Sequence, residues 1–78
     1  MLNPVQASSR LLGGLPKGTT IISSMTYGSD LLVVVENLGN DEDNLDPFWK
    51  VDMATGSVSD FSPQEYDDPA SIISGLGF

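Results

Sequence analysis

The strongest hydrophobic signal in this chain is Leu31-Leu-Val-Val-Val35, a run that is apolar at every position. A short continuous run of aliphatic residues predicts a central strand with both faces covered. The stretch before it, Thr19 to Tyr27, is rich in β-branched residues and predicts an antiparallel partner. Between the two stand Gly28 and Ser29, and glycine at the first of two loop positions suits a type II′ turn. That turn sets the register. Tyr27 faces Asp30, Met25 faces Leu32, and Ser23 faces Val34. The opposite side then carries Ile22 with Val35 and Ser24 with Val33.

A second hairpin is written into residues 48–61. Phe48 to Met53 and Ser57 to Phe61 flank Ala54-Thr-Gly56. Gly56 suits the left-handed position of such a loop. A four-residue loop puts Phe48 across from Phe61, Trp49 across from Asp60 and Val51 across from Val58. Cross-strand pairs of aromatic and β-branched residues each contribute about 0.2–1 kcal/mol.

Helices are predicted at the two ends. Asn3, Pro4 and Gln6 form a cap, first position and capping-box partner. Gly13-Gly14 and then Pro16 stop this helix. Leu2, Val5, Leu12 and Leu15 are its expected apolar stripe, with Ser8, Ser9 and Arg10 outside. Near the end of the chain Ser62-Pro63 closes the sheet. Asp68-Pro69 opens a short helix or extended segment with Ile72, Ile73 and Leu76 as its apolar side. The expected fold is α+β in one domain, residues 1–78: an N-terminal helix on an antiparallel four-stranded sheet made of two hairpins, then the C-terminal segment. One helix covers one face of the doubly apolar strand. Either the C-terminal segment or a partner must cover the other.

Size sharpens that demand. A chain of 78 residues buries only about 60% of its unfolded surface. Small domains often take support from disulfides, metals or other chains. This one has no Cys and no His, so disulfides and the commonest zinc ligands are missing. Support from another chain, including a second copy in a homodimer, is the remaining route. Absence of cysteine suits a reducing compartment. The first residues lack a basic, apolar leader pattern, and no apolar run approaches the roughly 20 residues of a membrane span. The expectation is a cytoplasmic protein, in the host cytoplasm if phage-encoded, with no membrane partner.

Charge adds a direction. Residues 1–29 hold Arg10 and Lys17 and no acid, whereas residues 30–78 hold all eleven carboxylates and Lys50. A part of +2 is thus joined to one of −10, for a net charge of −8. The densest acid stretch is Glu36 to Asp46. Such a chain lacks the cations that supply most nucleic-acid affinity, so no direct nucleic-acid partner is expected. A protein with a basic surface is the complementary expectation. High net charge also serves solubility by itself.

Candidate chemistry is sparse. Asp41, Asp43, Asn44 and Asp46 are oxygen donors, but Leu45, the missing glycine and the missing final glutamate break the calcium-loop spacing. Asp52 and Asp60 lie on neighbouring strands, without the cleft that paired-carboxylate hydrolysis needs. Serine has no histidine to activate it. In Gly13-Gly-Leu-Pro-Lys17-Gly-Thr-Thr20 the lysine precedes the glycine and the segment leaves a helix for a strand, the reverse of a phosphate loop. No enzyme activity, metal or cofactor is expected. The leading expectation is a small acidic protein-binding module, in one version a phage-type or immunity-type inhibitor that blocks a basic or nucleic-acid-binding surface. Its candidate contact residues are Glu36, Asp41, Glu42, Asp43, Asp46 and Trp49. Tryptophan is enriched at interfaces, although a small domain often buries its one Trp. The alternative is a structural subunit of a virion or homo-oligomer that uses an uncovered sheet face or the Ile72, Ile73 and Leu76 segment.

Overall fold

A computed structural model of the chain describes residues 1–37 and 47–77. Helix α1 spans Pro4–Gly13. Its capping box is complete: Asn3 Oδ1 accepts from the Gln6 N–H at 2.8 Å, and Gln6 Oε1 accepts from the Asn3 N–H at 2.9 Å. Gly14 closes the helix by donating to the Leu11 carbonyl at 3.0 Å. Strand β1 is Thr20–Tyr27, β2 is Asp30–Glu36, β3 is Phe48–Asp52 and β4 is Val58–Asp60. They form one antiparallel sheet in the order β1-β2-β3-β4. A 3-10 turn at Pro63–Glu65 leads to helix α2, Pro69–Gly75. This is the expected α+β arrangement.

Both hairpins keep their expected registers next to their turns. Gly28 turns the first at φ 61°, and Tyr27, Met25 and Ser23 pair with Asp30, Leu32 and Val34. Gly56 has φ 80° and closes the four-residue loop of the second. Asp52 N–H donates to Ser57 at 2.8 Å, and Val51 pairs with Val58 and Trp49 with Asp60. Phe48 and Phe61 meet edge to face at 5.6 Å. Their backbones join through the Phe61 N–H and the Phe48 carbonyl.

Two expected details are corrected. Ile21, not Ile22, pairs with Val35, because the register shifts between Ile21 and Ser23. Ile22 is the extra residue of a β-bulge and is 52% exposed. On α1 the packed side runs through Ala7 and Leu11, with Leu2 and Leu15 beside it, while Val5 is 75% exposed. Leu2 N–H donates to the Met53 carbonyl at 2.7 Å just before the helix. That bond ties the entry of α1 to the second hairpin, and Ala7 and Leu11 are fully buried against the sheet.

The core has two halves, one on each face of β2. Leu31, Val33 and Val35 pack with Ala7, Leu11, Val51 and Met53 under α1. Leu32 and Val34 pack with Phe61, Ile72 and Leu76 under the C-terminal segment. All five residues from Leu31 to Val35 are 2% exposed or less. The second cover of the strand is therefore supplied by the chain itself. Ser23 Oγ ties α2 to the edge of the sheet by donating to the Leu76 carbonyl at 2.6 Å. Asp68 caps α2, its carboxylate accepting from the Ser71 hydroxyl at 2.7 Å and the Ser71 N–H at 3.2 Å.

Removing side chain from the second half-core should be costly. Ile72→Ala is expected to lower unfolding free energy by about 2–5 kcal/mol, whereas Val5→Ala stays within about 0.5 kcal/mol. Urea denaturation of both variants checks this, and equal effects would contradict the assigned packing. The Ser71 hydroxyl, and then its N–H, hold the Asp68 carboxyl below the usual carboxylate range. The cap's contribution is thus full above about pH 4 and is lost as pH falls through the lowered folded value. Carboxyl titration by NMR should show the Asp68 midpoint rising in Ser71→Ala.

Candidate functional site

No charged residue is buried among the described ones. Every described carboxylate stands at the surface, where the fold places it relative to its neighbours. Glu36 ends β2 and is partly buried, with Thr20 as its cross-strand partner. Trp49 lies in the middle of β3 between Val33 and Asp60 and packs against the α1 half of the core. Side chains alternate along a strand. Glu36 therefore follows Leu32 and Val34 on the α2 face, while Trp49 follows Val51 on the α1 face. The two candidates stand on opposite sides of the sheet. Asp41, Glu42, Asp43 and Asp46 lie outside the described residues.

A cluster that the sequence reading passed over sits at the turn end of the α2 face. Tyr66 is its centre. Its ring meets Tyr27 edge to face at 5.2 Å and Phe61 at 5.8 Å. Lys50 Nζ stands 5.9 Å from the ring centroid, a cation–π contact. Asp30 and Asp52 are direct cross-strand partners at the same end. Like charges so placed repel. Asp52 is turned toward its own loop, where Oδ1 accepts from the Ala54 N–H at 2.9 Å. The Tyr66 hydroxyl is buried and makes no hydrogen bond. Burial first, and then the charges of Asp30 and Glu65 and the neighbouring Tyr27, push its phenol above the ordinary value of 10.0. Sequence signals for this cluster are thin. Tyr66 sits in a polar, acidic stretch, and only Pro63 ahead of it hints that the chain turns back over the sheet.

Comparison with known proteins finds no matching family model, no similar curated protein and no similar solved structure. The site must be judged on its chemistry.

Among the described residues no group of three or more carboxylates comes together in a way that could hold a metal ion. An open pocket of about 220 Å³ lies between α1 and the second hairpin loop, lined by Gln6, Arg10, Met53 and Thr55. Arg10 lies against Gly56, where an added Cβ would stand 3.1 Å from the guanidinium carbon. This pocket brings one cationic side chain, Arg10, against the second hairpin loop. The described carboxylates lie at strand ends and in the segment from Glu65 to Asp68. No described helix is long and apolar enough to cross a membrane.

Tyr66→Phe removes the unpaired hydroxyl and keeps the ring contacts. The variant is expected to gain about 1 kcal/mol in unfolding free energy, read by urea denaturation. A loss instead would mean that the hydroxyl has a bonding partner. In alkaline titration, the variant should lose a phenol transition that lies above the ordinary value. Because the folded value is raised, the tyrosine's contribution is present below about pH 10 and fades as pH rises through the folded value.

Proposed function

We propose that this protein is a small acidic binding module whose partner is a protein with a basic surface. The observation that carries the reading is the division of charge: all eleven carboxylates lie beyond residue 29, and none of those described is buried in the core. Among those described, Asp52 and Asp68 serve local turns and caps, and the others lie at the surface where another molecule can reach them. Absence of His and Cys leaves general acid–base and nucleophilic chemistry to carboxylates and lysines without a partner base. Binding, not catalysis, is the function these residues suit.

One concrete form is an inhibitor that occupies a nucleic-acid-binding surface through carboxylates standing where phosphates would bind. The proposed contact residues are Glu36, Asp41, Glu42, Asp43 and Asp46, with Trp49 as a separate aromatic contact on the opposite face of the sheet from Glu36. The other form, a subunit of a virion or homo-oligomer, has less to support it. Of Ile72, Ile73 and Leu76, which it would use, Ile72 and Leu76 are 0% and 2% exposed and Ile73 is partly exposed.

A partner captured from the native cell should have a basic surface and dissociate as salt rises. The combined variant Asp41→Asn, Glu42→Gln, Asp43→Asn and Asp46→Asn should bind at least about tenfold more weakly, mainly through slower association. Surface plasmon resonance at several salt concentrations reads both quantities. Affinity unaffected by salt and by the four substitutions would sink the proposal.

A further inference from the structure

Strand β1 is an outer strand of the sheet. Its eight residues, Thr20 to Tyr27, carry no charge and no proline. Edge strands are normally guarded by charge, proline, shortness or a bulge. Here the bulge at Ile22 is the one such device, and Ser23 to Tyr27 runs on regularly beyond it. The other edge, β4, has three residues and includes Asp60.

Backbone parity settles which β1 groups face outward. Val35 N–H donates to Pro47, and Met53 N–H to Ser29. Odd-numbered residues of β2 thus bond toward β3, and the even-numbered ones bond toward β1. Their register partners Tyr27, Met25 and Ser23 use their groups inward. Ser24 and Thr26 therefore present their N–H and C=O to the open side, with no partner strand among the described residues. Both side chains are exposed and small. Ile22 and Tyr27, two of the exposed large hydrophobic residues, lie on the same strand.

Carboxylates flank this uncharged edge at both ends. Glu36 pairs with Thr20 and Asp30 with Tyr27. They are six steps apart on β2, roughly 20 Å. A strand added beside β1 would lie two strand spacings from them, roughly 10 Å, comparable with the screening length at 0.1 M salt.

We propose that the β1 edge binds an extended basic segment of a partner protein as a fifth strand, through the Ser24 and Thr26 backbone, with its cations over Asp30 and Glu36. The proposal rests on the reading of a basic partner and adds the mode of contact.

The test uses a capped heptapeptide with lysine at both ends and alternating valine and threonine between, and a twin with glutamate at both ends. With the 15N-labelled full chain at low salt, the lysine peptide should shift the Ser24 and Thr26 amides saturably and slow their exchange with solvent. The glutamate twin should bind at least about tenfold more weakly. Thr26→Lys should abolish lysine-peptide binding. Ser24→Pro should do the same while the Leu32 and Val34 amides stay protected, which reports an intact β1–β2 ladder. Binding that leaves Ser24 and Thr26 unmoved and tolerates both variants would overturn the edge while sparing the acidic surface. Equal binding of the two peptides would overturn the basic occupant. Protection of these amides by concentration-dependent dimerisation would assign the edge to a second copy and overturn the proposal. No binding by either peptide would also overturn it, whatever the four-acid variant does to the captured partner.

Discussion

Everything in this small protein depends on burying β2 from both sides. Five consecutive residues, Leu31 to Val35, lose nearly all contact with water. Removing a Leu or Val side chain from water is worth about 1.5–3 kcal/mol. A strand that is apolar on both faces cannot gain this from one layer. The fold answers with three layers, α1 below, the sheet between, and the 3-10 turn with α2 above. Neither helix is long enough to persist alone, at ten and seven residues. Each is held by the strand it covers. The interdependence explains how a chain with no disulfide closes a core at this size.

Among the described residues the interior is apolar and charge is displaced to the rim. The described carboxylates lie at strand ends and just before α2, and Asp30 faces Asp52 across the sheet at the cost of some repulsion. Tyr66 sits among them with an unpaired hydroxyl, its ring serving to cap the α2 half of the core. A fold optimised for stability alone would place phenylalanine there. The acid-free β1 edge and the acid-bearing remainder are thus two different surfaces on one sheet, and the proposed mode of binding uses both.

Much of the fold was legible from local signals. The Asn3–Gln6 capping box, Gly28 in the first turn, Gly56 in the second and the Asp68 cap each act within a few residues. Their geometry is set by backbone sterics and short-range hydrogen bonds, which the sequence displays directly. Hairpin registers followed from the turns, down to the Phe48–Phe61 pair. The misses are of another kind. The expectation packs Val5 and pairs Ile22, but α1 turns Ala7 and Leu11 to the sheet and the register of β1 breaks at a bulge. Of the candidate site, Glu36 and Trp49 were read together from nearness in sequence, and strand alternation separates them. The Tyr27–Tyr66 cluster joins residues far apart in the chain, and no local pattern marks it.

The sequence by itself determined the element order, the turns and caps, the doubly buried strand and the segregation of charge. These depend on residue type and short spacing. Only the tertiary structure decided that the C-terminal segment is the second cover of β2, which face each acid and aromatic side chain occupies, and which edge of the sheet stays open. Those outcomes depend on contacts between distant segments, where packing and anchoring override the preference of any single stretch.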